Sequence, residues 1–91
     1  MNYSKETVNE AIFLYIIHNF EHIKELIKPM NEAKKLLLEN ENVYFKDDIL
    51  KQFKDNVKKI IVDEATIALA IPAEDVYNFL DAFNLETFYD R

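Results

Sequence analysis

The chain has 91 residues, contains neither glycine nor cysteine, and carries a formal net charge of −6 from 11 basic and 17 acidic side chains. The absence of glycine excludes the phosphate-binding loops and nucleophile elbows that depend on it. The absence of cysteine excludes disulfides, thiol nucleophiles and thiolate zinc sites. The negative charge has the wrong sign for sequence-independent binding to a phosphate backbone. The length predicts one domain, residues 1–91, with a thin core to which a partner can add.

Apolar residues recur at helical spacing through the first thirty positions, which predicts a helix that begins after an N-cap at Ser4. The main stripe contains Phe13, Ile16, Ile17, Phe20, Ile23, Ile27 and Met30, and a second, shorter stripe contains Val8, Ala11, Ile12 and Tyr15. A helical segment that is apolar on two sides is central in a bundle or lies at a subunit contact. We therefore expect a homodimer with the segment from Ala11 to Ile17 near its interface.

Proline marks the end of this first helix and the start of a second one. Pro29 lacks an amide hydrogen and clashes with the preceding turn, so we expect it to kink the helix or to open a new one. The second helix then runs to about Glu39 and packs through Met30, Ala33, Leu36 and Leu37. A turn follows at Asn40-Glu41-Asn42, since asparagine best replaces glycine in left-handed backbone.

Two further helices are predicted in the second half of the chain. Asp47 is the expected N-cap of the third helix, which runs to about Ala70. Its buried face is predicted to contain Leu50, Phe53, Val57, Ile60, Ile61, Ala65, Ala68 and Leu69. Pro72 begins the fourth helix, which packs through Val76, Phe79, Leu80 and Phe83 and ends at Asn84 in a left-handed cap.

The elements together predict an all-α bundle of about four helices, of which the first and third are long and the other two short. The remaining tail, residues 85–91, is expected to pack back through Phe88 and Tyr89. The longest apolar run, from Ala11 to Ile17, has seven residues, far below the ~20 that span a bilayer. The N-terminus is also a poor secretory signal, so we expect a cytoplasmic protein.

The last two helices have spacing similar to a helix-turn-helix. The apolar positions that match are Ala65, Leu69, Ile71, Val76, Phe79 and Leu80. Ala70 stands where the turn usually has glycine, and the second helix carries Glu74, Asp75 and Asp81, which would face phosphates. A dimeric DNA-binding transcriptional regulator therefore stays open as an alternative, although direct binding to nucleic acid is disfavoured.

Few residues suggest catalysis or metal binding. His18 and His22 are the only histidines, and their spacing of i and i+4 places them on one helical face where they can chelate a metal, with Glu21 and Glu25 nearby. A firm site needs three or four ligands from more than one element, and the third helix offers no histidine. Ser4 has no base to activate it. Glu64 lies among apolar residues, where a carboxylate can act as an acid or base. It is more simply explained as an edge residue whose carboxylate is in water or bonded to a tyrosine. We expect no enzymatic activity, no metal and no cofactor.

Charge is distributed unevenly along the chain. Between positions 46 and 59 there are five lysines, whereas the following acidic run has no base and contains Asp63, Glu64, Glu74, Asp75, Asp81, Glu86 and Asp90. Helix-dipole preference accounts for part of this run. The fourth helix turns its inward face to the core, so its other face can meet a basic partner protein. The predicted binding residues are Glu74, Asp75, Tyr77, Asn78 and Asp81.

The sequence accordingly favours a non-enzymatic regulator or inhibitor that binds a larger protein stoichiometrically. Small acidic proteins of this kind are often phage or mobile-element accessory proteins that inhibit nucleic-acid-handling host enzymes, and we expect a basic protein of that class as the partner. This expectation rests on size and charge rather than on particular residues. The helix-turn-helix regulator is the first alternative, and a self-associating structural bundle is the second.

Overall fold

The computed structural model describes residues 3–40 and 43–88. Within these ranges the chain forms four α-helices and no strand: α1 (Lys5–His18), α2 (Phe20–Asn40), α3 (Lys46–Leu69) and α4 (Ala73–Ala82). Two 3₁₀ segments, Val43–Phe45 and Leu85–Phe88, complete the described structure. The predicted all-α bundle is confirmed. Glu41 and Asn42 of the predicted turn, and Tyr89, Asp90 and Arg91 of the predicted tail, lie outside the described residues.

The first break in the helices lies at Asn19, so the prediction that Pro29 separates two helices is wrong. Ser4 caps α1 as predicted, its hydroxyl accepting the Thr7 N–H at 3.1 Å. At the other end, the Asn19 backbone N–H and its side-chain amide both donate to the Tyr15 carbonyl, at 3.0 and 2.9 Å. Pro29 lies inside α2. Consequently α1 is short, with 14 residues, and α2 is long, with 21.

The stripe of core residues along α1 and α2 is narrower than the predicted one. α1 buries Ile12 and Ile16, whereas α2 buries Ile23 and Ile27. Phe13 and Ile17, predicted in the main stripe, are 44% and 49% exposed. The four buried isoleucines continue one stripe at helical spacing through the break, and Phe13 and Ile17 lie to one side of that stripe.

α2 and α3 form an antiparallel pair that organises the rest of the fold. His22 Nε2 lies 3.0 Å from Glu64 Oε1 at one end of the pair, and Lys34 Nζ lies 4.5 Å from the Phe53 ring centre farther along. α1, α4 and the last 3₁₀ segment pack at the end that contains the His22–Glu64 contact, and the molecule measures 50 × 23 × 18 Å. The buried core contains Ile12, Ile16, Ile23, Ile27, Phe53, Val57, Ile61, Val62, Ala65, Val76, Leu80, Leu85 and Phe88.

The ends of α3 and α4 differ from the predicted caps. α3 begins at Lys46 without a side-chain cap, so Asp47 lies in the first turn instead of capping it. Ala70 is the C-cap that follows Leu69, the last residue of α3. Among the described residues it is the one with left-handed backbone, at φ 54° and ψ 46°. α4 ends at Phe83 in extended conformation, so the left-handed cap predicted at Asn84 is wrong. The extended backbone directs the chain back to the core, where Phe88 stacks on Phe20 at 4.7 Å.

The buried face of α3 also departs from its predicted list in detail. Leu50 and Ala68 are exposed, and Val62, which was not predicted, is 3% exposed. Leu50 lies in the part of the hairpin that α1 and α4 do not reach. Val62 is buried because α3 contacts helices on more than one side in its second half, α2 as well as α1 and α4.

Candidate functional site

The outward surface of α4 is determined by the two residues that this short helix buries. Val76 and Leu80, at i and i+4, face the core and are 0% and 1% exposed. Helical geometry therefore turns Glu74, Asn78 and Asp81 toward solvent on the opposite side, and all three are exposed. Their placement agrees with the sequence reasoning, and their role in binding stays a prediction.

The other two predicted binding residues lie on the flanks of α4, on opposite sides. Asp75 is half-buried and, with Asn78, lines a shallow cleft of about 330 Å³ against the start of α1, whose lining includes Lys5 and Asn9. Tyr77 is 39% exposed and lies on the flank toward α3, close enough to influence Lys59. The five residues therefore cover the outward half of the helix and do not converge on one point.

Lysines from α3 reduce the negative charge of this surface, which the order of residues along the chain does not reveal. Lys58 Nζ donates to Asp81 Oδ1 at 3.0 Å, and Lys59 Nζ donates to Asp63 Oδ2 at 2.9 Å. The hydrogen bond and the charge of Asp63 together raise the pKa of Lys59. By contrast, the ion pairs of the described residues include neither Glu74 nor Asp75. The net negative end of α4 is therefore its first turn.

The two histidines lie in different helices, on either side of the break at Asn19. His18 is the last residue of α1, whereas His22 lies in α2 and contacts Glu64. Glu64 pairs with this histidine across the α2–α3 interface, a partner that sequence reasoning missed because the signal is tertiary. Burial, and secondarily the Glu64 carboxylate, raises the pKa of Tyr15. In the described part of the chain, no group of three or more His, Asp or Glu side chains is arranged to hold a metal ion.

The corner between α3 and α4 has the local form of a helix-turn-helix turn. Ala70, at the position usually occupied by glycine, is left-handed, and its N–H donates to the Thr66 carbonyl at 3.0 Å. Ile71 and Pro72 then lead directly into α4. The outward face of α4, the would-be recognition helix, nevertheless carries carboxylates, which is unfavourable for contact with phosphates.

Exposed apolar side chains form two further surfaces. On α1, Phe13, Leu14 and Ile17 are each close to half exposed. At the far end of the α2–α3 pair, the exposed residues are Leu36, Leu37, Tyr44, Phe45 and Leu50. An open groove of about 250 Å³ adjoins this end, and its apolar lining consists of Met30, Ala33, Leu37, Ile49 and Phe53. The sequence predicted the segment from Ala11 to Ile17 near a subunit contact, although it also placed Phe13 and Ile17 in the main core stripe. It assigned Leu36, Leu37 and Leu50 to the core and therefore missed the surface at the groove end.

Comparison with protein-family models, with curated proteins and with solved structures finds no match to this chain or its fold. The proposed function therefore rests on the surfaces of the molecule described above. None of the helices in the described ranges has both the length and the apolar character needed to cross a membrane.

Proposed function

We propose that this protein is a non-enzymatic regulator or inhibitor that binds a larger partner protein stoichiometrically through the outward surface of α4. The observation that carries the proposal is the first turn of α4, where Glu74 and Asp75 have no ion-pair partner among the described residues. Carboxylates at a helix N-terminus are favoured locally by the helix dipole. Lys5 lines the cleft beside Asp75, but no described cation forms an ion pair with either carboxylate, so this turn leaves a negative site for a basic surface.

The chemistry of this surface favours a partner that itself binds an anionic ligand. Carboxylates steer a basic protein during encounter, and their effect extends over the ~8 Å screening length of physiological buffer. Tyr77, which is part exposed beside them, is a rigid aromatic residue of the kind that concentrates binding energy. A protein that covers the nucleic-acid-binding surface of an enzyme would inhibit it by competition. A phage or mobile-element origin agrees with such a role.

The decisive experiment compares two charge-reversed variants that have the same net charge. The test variant replaces Glu74, Asp75 and Asp81 with lysine, and the control replaces three exposed carboxylates of α2 with lysine: Glu21, Glu25 and Glu32. The partner is recovered from the native host by affinity capture and identified by mass spectrometry. Association and dissociation rates are then measured by surface plasmon resonance at two salt concentrations.

We expect the α4 variant to lose a few kcal/mol of binding free energy, mainly through slower association. The control should keep most of the affinity, because it changes the overall charge without changing the proposed contact. Far-ultraviolet circular dichroism should show both variants folded. Equal losses in the two variants would mean that only net charge matters, and unchanged binding by the α4 variant would exclude α4 as the interface.

The second candidate is a helix-turn-helix DNA-binding regulator, favoured by the left-handed turn at Ala70. The two functions differ in their response to duplex DNA. A regulator would shift a duplex containing its operator, in a salt-sensitive manner. The proposed protein binder would not shift duplex DNA, and it would instead displace nucleic acid from its protein partner.

A further inference from the structure

The outward face of α1 is apolar at its centre and polar at its two ends. Leu14 lies on the side opposite the buried pair Ile12 and Ile16, and Phe13 and Ile17 lie on the flank between that side and the core. All three are 44–49% exposed. Their spacing places them next to one another on the helix surface. Contiguous apolar patches of this kind, rimmed by polar residues, mark association sites.

We propose that this face is a homodimer interface, in which α1 packs antiparallel against α1 of a second copy around a two-fold axis near Leu14. The inference is independent of the proposed role of α4. It also assigns different roles to the residues of the Ala11–Ile17 segment. Ile12 and Ile16 belong to the core of one chain, whereas Phe13, Leu14 and Ile17 are the residues that a second chain would cover.

The hydrogen-bonding groups at the ends of this face, a carboxylate and an imidazole, indicate why a second copy is the occupant. Glu10 and His18 lie four residues before and four residues after Leu14, and both are exposed. Antiparallel pairing about Leu14 brings Glu10 of each copy to the level of His18 of the other, so the same favourable contact forms twice. Such an isologous surface, complementary to itself, is what a two-fold dimer requires. Parallel pairing would instead place the two Glu10 carboxylates together.

The size of the patch determines the expected affinity. A typical stable interface buries about 800 Å² on each partner, whereas α1 has 14 residues and is therefore about 21 Å long. Its apolar centre consists of three partly exposed side chains. We therefore expect a dimer in the micromolar range rather than a permanent assembly.

Sedimentation equilibrium on the full chain, across micromolar to millimolar concentrations, tests the interface directly. The first variant is Ile17→Glu, which places a charge at the apolar centre without disturbing the core. Two matched controls place glutamate at other exposed apolar positions, Leu36→Glu near the groove end of α2 and Ile67→Glu on α3. We expect Ile17→Glu to raise the dimer dissociation constant about tenfold or more, and both controls to change it less than about twofold.

A charge exchange tests the antiparallel register. His18→Glu alone opposes two carboxylates across the interface and should weaken the dimer, whereas the double variant Glu10→His/His18→Glu again places an imidazole opposite a carboxylate and should recover it. Circular dichroism shows whether each variant keeps its helices. A wild-type chain that stays monomeric at millimolar concentration would overturn the proposal. It would also be overturned if Leu36→Glu abolished the dimer and Ile17→Glu did not, because the groove would then be the contact. Failure of the exchange to restore association would exclude this register.

Discussion

Ala70 has a conformation that suits glycine, so Ala70→Gly is expected to stabilise the fold. Its φ of 54° and ψ of 46° place it in the left-handed region, which costs an L-residue roughly 1–2 kcal/mol. Glycine avoids that cost but loses about 0.5–1 kcal/mol through the greater freedom of the unfolded chain. The net gain should be about 0.5–1 kcal/mol, a rise in Tm of roughly 2–8 °C for a chain of this size.

Urea and thermal unfolding, followed by circular dichroism, measure this gain, and Ala68→Gly is its control. Ala68 lies two residues earlier, exposed within α3, where glycine should cost about 0.5–1 kcal/mol. The two substitutions are chemically identical and close in the chain, so opposite signs would identify the backbone conformation as the cause. Equal losses of stability in the two variants would mean that Ala70 is not left-handed in solution and that the α3–α4 corner does not have the turn described above.

Two further predictions concern the helices. Pro29 is exposed inside α2, so Pro29→Ala should restore the missing hydrogen bond and raise the free energy of unfolding by up to about 3 kcal/mol. Urea unfolding measures this gain, with Lys28→Ala as the control substitution in the same turn. An unchanged free energy of unfolding in Pro29→Ala would mean that the helix is interrupted at position 29. The pKa of Tyr15 is raised by burial and by Glu64, so stability from the protonated phenol is present below the ordinary pKa and is lost as pH rises through the raised value. Glu64→Gln should lower this pKa only part of the way, because burial is the larger cause, and ultraviolet titration against Tyr15→Phe measures it. A full return to the ordinary value would contradict that order of causes.

Helical periodicity was sufficient to predict the architecture, because a 3.6-residue repeat needs only neighbours along the chain. The all-α class and the cap at Ser4 were predicted correctly, as was the return of Phe88 to the core. The core face of α4 was also anticipated, since Val76 and Leu80 lie at helical spacing. These features depend on local geometry and on the burial of apolar side chains.

The break at Asn19 could not be read from the sequence, since Pro29 has the stronger breaking propensity. Two hydrogen bonds to the Tyr15 carbonyl end α1, and the packing of α2 on α3 keeps Pro29 within a helix. Phe13 and Ile17 lie beside the stripe of buried isoleucines and stay half exposed, although they had been assigned to the core by periodicity. Propensity is a weak guide where tertiary packing opposes it.

The charge and exposure of the outward surface of α4 could likewise be predicted only in part from the sequence. Composition alone determined that the chain is acidic and lacks glycine loops and thiols, and helix spacing determined that Glu74, Asn78 and Asp81 face outward. The fold decided that Lys58 pairs with Asp81 and that His22 pairs with Glu64. These residues are 23 and 42 positions apart, and electrostatic interactions depend on distance in space. Only tertiary packing brings each pair to a contact of 3.0 Å, and among the described residues it leaves Glu74 and Asp75, in the first turn of α4, without an ion pair.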